Sequence, residues 1–306
     1  MNETLPTFSL VIETENLEVS DLQHLERSLR SLRMQTFPLA KAQEIILVDT
    51  GVLAREILEK SCAPYGQIQI VSTPGEHDYF KVKMFGFPYT TGEVVLFADC
   101  DCSYDPDWLR NMLQPFQDPA IQVVTGETYH RIRNPYDLAV ALAWVLEPYS
   151  LENELKPVRV YMANTMAFRR QVLLRHPLQG SRQFMRVGQI EHGEELAAGG
   201  IVIWQQPKAR VDHEVPGLNT IFGRMYGAGQ DVHFISKRKI NPLGKKDLWR
   251  TRFFRLLHKI KLTFEYDRNS IYYFPFAMPL ILVLIGTYLA GYFFGRALDL
   301  HAEDEN

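Results

Sequence analysis

Two aspartates stand one residue apart in "LFADCDCSYDPDWL", residues 96–109, directly after an apolar run. Residues i and i+2 of an extended segment point to the same side. Asp99 and Asp101 can therefore face one ion while Cys100 points away. Their hard oxygens suit Mg or Mn, cations that commonly bridge phosphates. Two other readings compete for this stretch. One is a solvated turn, which a D-x-D taken alone would ordinarily be. The other is a thiol metal site on Cys100 and Cys102; its spacing is not that of a zinc knuckle, and no second cysteine pair exists, Cys62 being the third cysteine.

Something must carry those carboxylates. The runs "FSLVI" (8–12), "EIILV" (44–48), "IQIV" (68–71), "VVLF" (94–97) and "IQVV" (121–124) predict buried strands. Between the first two, Leu22, Leu25, Leu29 and Leu32 recur at helical spacing. Asp105-Pro106 predicts another helix start, with Asp as N-cap and Pro at the first helical position. Strand–helix alternation implies an α/β fold: a Rossmann-like, mostly parallel sheet with helices on both faces. Ligands of such sheets bind beyond the carboxyl ends of the strands. "VDTG" (48–51) and "ADCD" (98–101) both fall there.

The neighbouring residues sharpen the D-x-D. "KVKMFGFPYTTGEVVLFADCD" (81–101) resembles the approach to the D-x-D motif in family 2 glycosyltransferases with the GT-A (nucleotide-diphospho-sugar transferase) fold. The basic residue, the Gly three later and the Gly-Glu before the strand are Lys83, Gly86, Gly92 and Glu93. "ETEN" after the first strand and "EIILVDTG" resemble the family's nucleotide-binding segments, although Glu13 replaces the usual Pro and Thr50 the usual second Asp. "NTMAFRR" (164–170) is similar to the acceptor-side segment, and "GGIVIWQQPKARVDHEVP" (199–216) to the late strand and its His-bearing turn. "GRMYGAGQ" (223–230) matches a glycine-rich Arg segment, and the resemblance spans about residues 7–235 in order.

The resemblance implies a nucleotide-sugar donor, UDP- or GDP-linked, lying across the strand ends with its diphosphate on a divalent cation, Mg or Mn. Donor contacts would fall to Glu13, Asp49 (to the base), Lys83 (to the phosphates), Asp99 and Arg224, the last in a glycine-rich loop over the donor. Asp99, Asp101 and His213 would hold the metal, which offsets charge on the departing nucleoside diphosphate. Lys83 as a solvated helix charge and His213 as a core histidine are the bland alternatives. Inversion also needs a general base for the acceptor hydroxyl. The family's Glu-Asp pair is absent from "GQIEHGEELAAGG" (188–200). Glu191 is the expected base and Glu194, on the same helical face, the reserve; Glu195 is also near, and the bland reading is a solvated acidic face.

The C-terminal part has a different character. Residues 237–268 hold 11 Lys/Arg against 3 Asp/Glu, and "KKDLWRTRFFRLLHKIK" interleaves basic and apolar residues as interfacial helices do. Residues 270–295 carry no charge; as a helix they would reach about 39 Å, enough to cross a bilayer. Tyr272, Tyr273, Tyr288 and Tyr292 fit an aromatic belt, while Pro275 and Pro279 leave room for a kinked or re-entrant segment. The expected organisation is a catalytic body (1–236), a basic amphipathic juxtamembrane segment (237–268), a transmembrane segment (269–298) and an acidic tail (299–306). Lys/Arg before the span places the body in the cytoplasm, on a single-pass protein of the plasma (inner) membrane. Three cysteines fit a reducing compartment, and "MNETLPTFSL" shows no secretory signal.

The function so implied is an inverting, metal-dependent hexosyltransferase acting on a polysaccharide or lipid-linked acceptor, with no nucleic acid as partner. A nucleotidyltransferase is the alternative enzyme, but "IETENLEV" is neither glycine-rich nor basic as its first loop would be. A catalytically silent membrane adaptor is the third reading, and the missing Glu-Asp pair favours it.

Overall fold

The computed structural model describes residues 5–17, 22–73, 78–144, 146, 149–179, 187–237 and 247–294. The expected acidic tail, the end of the expected span and residues 238–246 of the basic segment lie outside the described residues. The chain forms two compact units: 1–128, 152–182 and 188–214 in the first, 129–151, 183–187 and 215–306 in the second.

The first unit is built on a nine-stranded sheet. Strands β1 (Phe8–Glu13), β2 (Ile45–Asp49), β3 (Ile68–Ser72) and β4 (Val94–Asp99) pair in parallel in the order β3-β2-β1-β4. Each is an apolar run that ends on a polar residue. The register sets Glu13 beside Asp99 and Asp49 beside Ser72, so the polar ends line up along one edge of the sheet. The remaining strands are β5 (Cys102–Tyr104), β6 (Val123–Tyr129), β7 (Lys156–Val158), β8 (Thr165–Arg169) and β9 (Ile203–His213). They continue the order as β4-β8-β6-β9-β5, with β7 also on β9, and the pairs β4–β8, β6–β8, β5–β9 and β7–β9 are antiparallel. The parallel half of the sheet matches the strand–helix alternation in the sequence. The other half is antiparallel, which the strand–helix alternation does not reveal.

Helices cover both faces of the sheet, as the alternation predicts. On one, Leu25, Leu29 and Leu32 of α1 (Leu22–Arg33) pack with Phe8, Leu10 and Ile12. On the other, Phe80 and Val82 of α3 (Tyr79–Gly86) pack with Val11 and Val48. A Cβ on Gly86 would meet Val11 Cγ1 at 2.6 Å, so glycine lets α3 seat against β1. The unit also holds α2 (Arg55–Cys62), α4 (Trp108–Leu113), α6 (Arg170–Arg175) and most of α7 (Val187–Ala198). Helix α4 begins later than the Asp105-Pro106 pair predicts: Trp108 N–H donates to Asp105 O in a turn, and the helix follows.

The second unit is helical: α5 (Pro135–Ala143), α8 (Leu218–Lys237), α9 (Asp247–Tyr266) and α10 (Phe274–Phe294). Ala277, Ile281, Leu284, Tyr288 and Gly291 form the buried stripe of α10. Ala277 and Ile281 pack against Leu138, Ala139 and Leu142 of α5. Where α10 crosses α8, a Cβ on Gly229 would lie 2.1 Å from Tyr288 O, and one on Gly291 2.0 Å from Tyr226 O. The opposite face of α10 is apolar yet exposed, at Phe276, Leu282, Val283 and Phe293. The helical stretch Arg268–Phe294 is long and apolar enough to cross a membrane. Lys259 of α9 turns inward, its Nζ donating to Trp144 O and Leu146 O, 2.5 Å each.

Candidate active site

The polar strand ends create the site. Asp99 closes β4, and its carboxylate is heavily engaged. Lys83 Nζ donates to Oδ1 at 2.5 Å, Tyr79 OH reaches both oxygens at 2.9 and 2.8 Å, and Asn16 Nδ2 donates to Oδ2 at 3.1 Å. Tyr79 and Lys83 are one turn apart on α3, which is why both reach the same carboxylate. Asp78 starts that helix, its side chain accepting from the N–H groups of Phe80 and Lys81.

Lys83 is completely buried, so the solvated-charge reading fails. Burial pulls its ammonium pKa down, but the carboxylates of Asp99 and Glu13 outweigh that and hold it above the ordinary lysine value. Glu13 Oε1 lies 3.9 Å from Lys83 Nζ. Its carboxylate also accepts from Glu15 N–H at 2.5 Å and Asn16 Nδ2 at 3.2 Å, so it shapes the turn after β1. Burial first, and the charge of Asp99 second, push the Glu13 carboxyl well above its usual range.

Asp101 sits past the end of β4 with different company. Its Oδ2 is 3.6 Å from Nε2 of His213, and its Oδ1 accepts from the Cys102 thiol at 3.4 Å. The β5–β9 ladder causes this convergence, because it pairs Cys102 with His213. His213 Nδ1 lies 2.7 Å from Glu214 O; a carbonyl only accepts, so Nδ1 carries a proton and Nε2 is the ring nitrogen that faces Asp101. Donor atoms of Asp101, Cys102 and His213 all lie within 4.8 Å of one another. A ring whose second nitrogen is tied to a backbone carbonyl, beside a carboxylate, is the donor chemistry that a divalent cation takes. The residues present therefore fit a cation at Asp101 and His213, whereas the oxygens of Asp99 already serve Lys83, Tyr79 and Asn16.

The other expected residues are distributed unevenly. Asp49 is buried at the end of β2, where it accepts from Gly51 N–H at 2.8 Å and Ser72 Oγ at 3.1 Å. Cys100 is buried in the apolar core, as is Cys102. Glu191 and Glu194 lie on the exposed side of α7. The buried side of that helix is anchored by His192, which contacts Tyr161 OH at 2.9 Å and His176 O at 3.0 Å. Glu195 is paired with His176 Nδ1 at 2.7 Å. Arg224 belongs to the second unit and lies in α8, so the glycine-rich segment expected as a loop is helical. Its glycines mislead because Gly229 serves the close crossing with α10.

Three contributors escaped the sequence reading: Tyr79, Asn16 and Cys102. Tyr79, one helical turn before Lys83, was the most accessible of them. In the sequence Cys102 reads only as half of a cysteine pair, whereas its ladder partner is His213 on β9.

This is a GT-A architecture carrying a metal-competent strand end. Residues 15–176, more than half of the chain, match Glycosyl transferase family 2, and the chain belongs to that family. It is similar to Glycosyltransferase AglE of Haloferax volcanii, 24% identical over 128 residues, covering 41% of this chain and 40% of the relative. It is also similar to polypeptide N-acetylgalactosaminyltransferase 12 of Mus musculus, 22% identical over 279 residues, 84% of this chain and 46% of the relative. The chain thus spans less than half the length of these two curated relatives. Among solved structures, its fold is similar to mannosyltransferase PcManGT from Pyrobaculum calidifontis in complex with GDP-Man and Mn2+, with a TM-score of 0.56, 17% identity, and 99% of this chain and 80% of that one covered. GalNAc-T7 with UDP, GalNAc and Mn2+ gives a TM-score of 0.55 and 17% identity over 88% of this chain and 58% of that one.

Proposed function

We propose that this protein transfers a sugar, with inversion, from a nucleotide-diphospho-sugar to a polysaccharide or lipid-linked acceptor at the cytoplasmic face of a membrane. The observation that carries the reading is the Asp101–His213 pair at the carboxyl edge of the sheet, with His213 Nδ1 tied to a backbone carbonyl and Nε2 facing the carboxylate. A divalent cation bound there, Mn or Mg, supplies positive charge against the departing nucleoside diphosphate.

The rest is work for the chain's own residues. Asp49 takes the nucleotide base, and Asp99, held rigid by Lys83 and Tyr79, presents a fixed edge to the donor. Lys83 acts through Asp99, because its ammonium is already committed to that carboxylate. Glu191 takes the proton of the acceptor hydroxyl, with Glu194 in reserve. The exposed apolar face of α10 supports a membrane span, and the basic residues before it support a cytoplasmic body.

A thermal-shift screen of UDP-, GDP- and dTDP-sugars with Mn2+ tests the reading, followed by nucleotide-sugar hydrolysis with and without Asp101→Asn. A donor-specific shift and Asp101-dependent hydrolysis are expected. A metal-dependent shift without turnover would support the adaptor reading instead.

A further inference from the structure

We propose that α7 is held in place by a latch that works only while His192 is neutral, so that acid loosens the helix carrying Glu191 and Glu194. The latch is read from α7 and its neighbours alone; only its consequence for sugar transfer rests on Glu191 as the base.

The seat of the helix is close. A Cβ on Gly193 would stand 2.5 Å from Arg159 O, so glycine lets the backbone of α7 approach the segment after β7. His192, the preceding residue, is 2% exposed and packs against the rings of Tyr161 and Phe168, with centroids 5.6 and 5.9 Å away.

The hydrogen bonds of the ring suit one protonation state. Nε2 lies 3.0 Å from His176 O, and a carbonyl only accepts, so Nε2 carries a proton. Nδ1 lies 2.9 Å from Tyr161 OH. In the neutral ring Nδ1 is bare and accepts from that hydroxyl. Tyr161 is fully buried, and burial pushes its phenol above the ordinary tyrosine range, so the hydroxyl keeps its hydrogen. A second proton on the ring would reverse this bond. Nδ1–H would donate to the Tyr161 oxygen, and the hydroxyl hydrogen, whose acceptor among the described residues is Nδ1, would lose it in a buried place.

The charge would be buried as well. The ionisable groups acting on the ring are Tyr161 from the segment after β7, the His176 imidazole just past α6, and Glu195 on α7 itself; β8 contributes the apolar Phe168. Burial pushes the His192 imidazole below the ordinary histidine value, against the opposing pull of the His176 carbonyl and the Glu195 carboxylate. The unfolded chain therefore takes up this proton more readily than the folded one. The latch is complete above the ordinary histidine pKa of about 6.5 and weakens as pH falls below it.

Hydrogen exchange of the full-length protein in detergent, read by mass spectrometry and corrected for the intrinsic effect of pH, is the test. Between about pH 7.5 and about pH 5.5, protection of α7 relative to α1 should fall below the histidine value by up to roughly tenfold per pH unit, the slope of one proton. His192→Leu should make that ratio independent of pH. His176→Gln keeps the backbone carbonyl that holds His192 and should retain the loss. A constant ratio in the wild type would overturn the latch, and so would a pH dependence that survives His192→Leu or disappears in His176→Gln. If His192→Leu fails to fold, exchange at the imidazole C2 position gives the pKa of His192 in the wild type; a value at or above that of an unfolded peptide would overturn the proposal. Loss of α7 protection with transfer unimpaired would support the latch and overturn Glu191 as the base.

Discussion

Lys83 Nζ lies 2.5 Å from Asp99 Oδ1, and the two side chains are 0% and 3% exposed. The first carboxylate of the D-x-D is thus neutralised from within the protein, and Asp101 is left as the anionic donor of the pair. Removing one partner of a buried ion pair strands the other charge, at a cost of about 3–5 kcal/mol. Lys83→Met should therefore lower the unfolding temperature strongly. The double variant Lys83→Met/Asp99→Asn should lose less than the sum of the two single changes. An unchanged unfolding temperature with weaker donor binding would mean that Lys83 serves the phosphates directly.

Glu13 makes the same cluster sensitive to pH. Its carboxyl is held well above its ordinary range by burial and by Asp99, so the folded state binds that proton more tightly than the unfolded state. Its stabilising contribution is complete below the ordinary carboxylate pKa and is lost as pH rises toward the raised value. Glu13→Gln removes this loss. The variant should gain on the wild type in thermal unfolding as pH rises above the ordinary carboxylate range. A difference that does not change with pH would show Glu13 ionised throughout and held by Lys83.

The two aspartates should separate in calorimetry with Mn2+. Asp101→Asn removes a donor that faces His213 and should weaken Mn2+ binding by at least roughly tenfold. Asp99→Asn should disturb stability and donor affinity while largely sparing Mn2+. Equal losses from both would restore the two-aspartate clamp that the D-x-D spacing suggests.

What could be read from the sequence was what is local. Apolar runs ending in Asp or Glu gave the parallel strands and placed Asp49, Asp99 and Asp101 at one edge. Lys83 could be located but not understood: "KVKMFG" looks like a solvated helix until β4 brings Asp99 against it. Cys102 depends on the pairing of β5 with β9, a contact between distant parts of the chain that spacing cannot reveal. The segment "GRMYGAGQ" failed for the opposite reason: its glycines look like a loop locally, and their use is a helix crossing.

That crossing and the exposed face of α10 lead to a test at the membrane. Full-length protein should stay with membranes through high salt and leave only with detergent; release by salt alone would indicate peripheral attachment. Gly229→Leu should overpack the α8–α10 contact, where even a Cβ would stand 2.1 Å from Tyr288 O. The expected cost is about 1–3 kcal/mol, visible as earlier unfolding in detergent. Unchanged unfolding would show that the two helices separate freely.

The proposed base is carried by α7. His192 ties the helix to Tyr161 and to the His176 carbonyl, so the glutamates before and after it are carried on an anchored scaffold. Glu195 is engaged by His176, and Glu191 and Glu194 lie on the exposed side of the helix. A base has to accept a proton but need not touch the donor. Glu191→Gln keeps size and hydrogen bonding while removing that capacity. Transfer should fall by roughly a hundredfold or more, with Mn2+ and donor affinity nearly unchanged. Unimpaired donor hydrolysis beside lost transfer would locate the defect at the acceptor. If Glu194→Gln gives this pattern and Glu191→Gln does not, the base sits one turn further along α7. If both variants transfer normally, the proton leaves by another group and α7 only shapes the acceptor cleft.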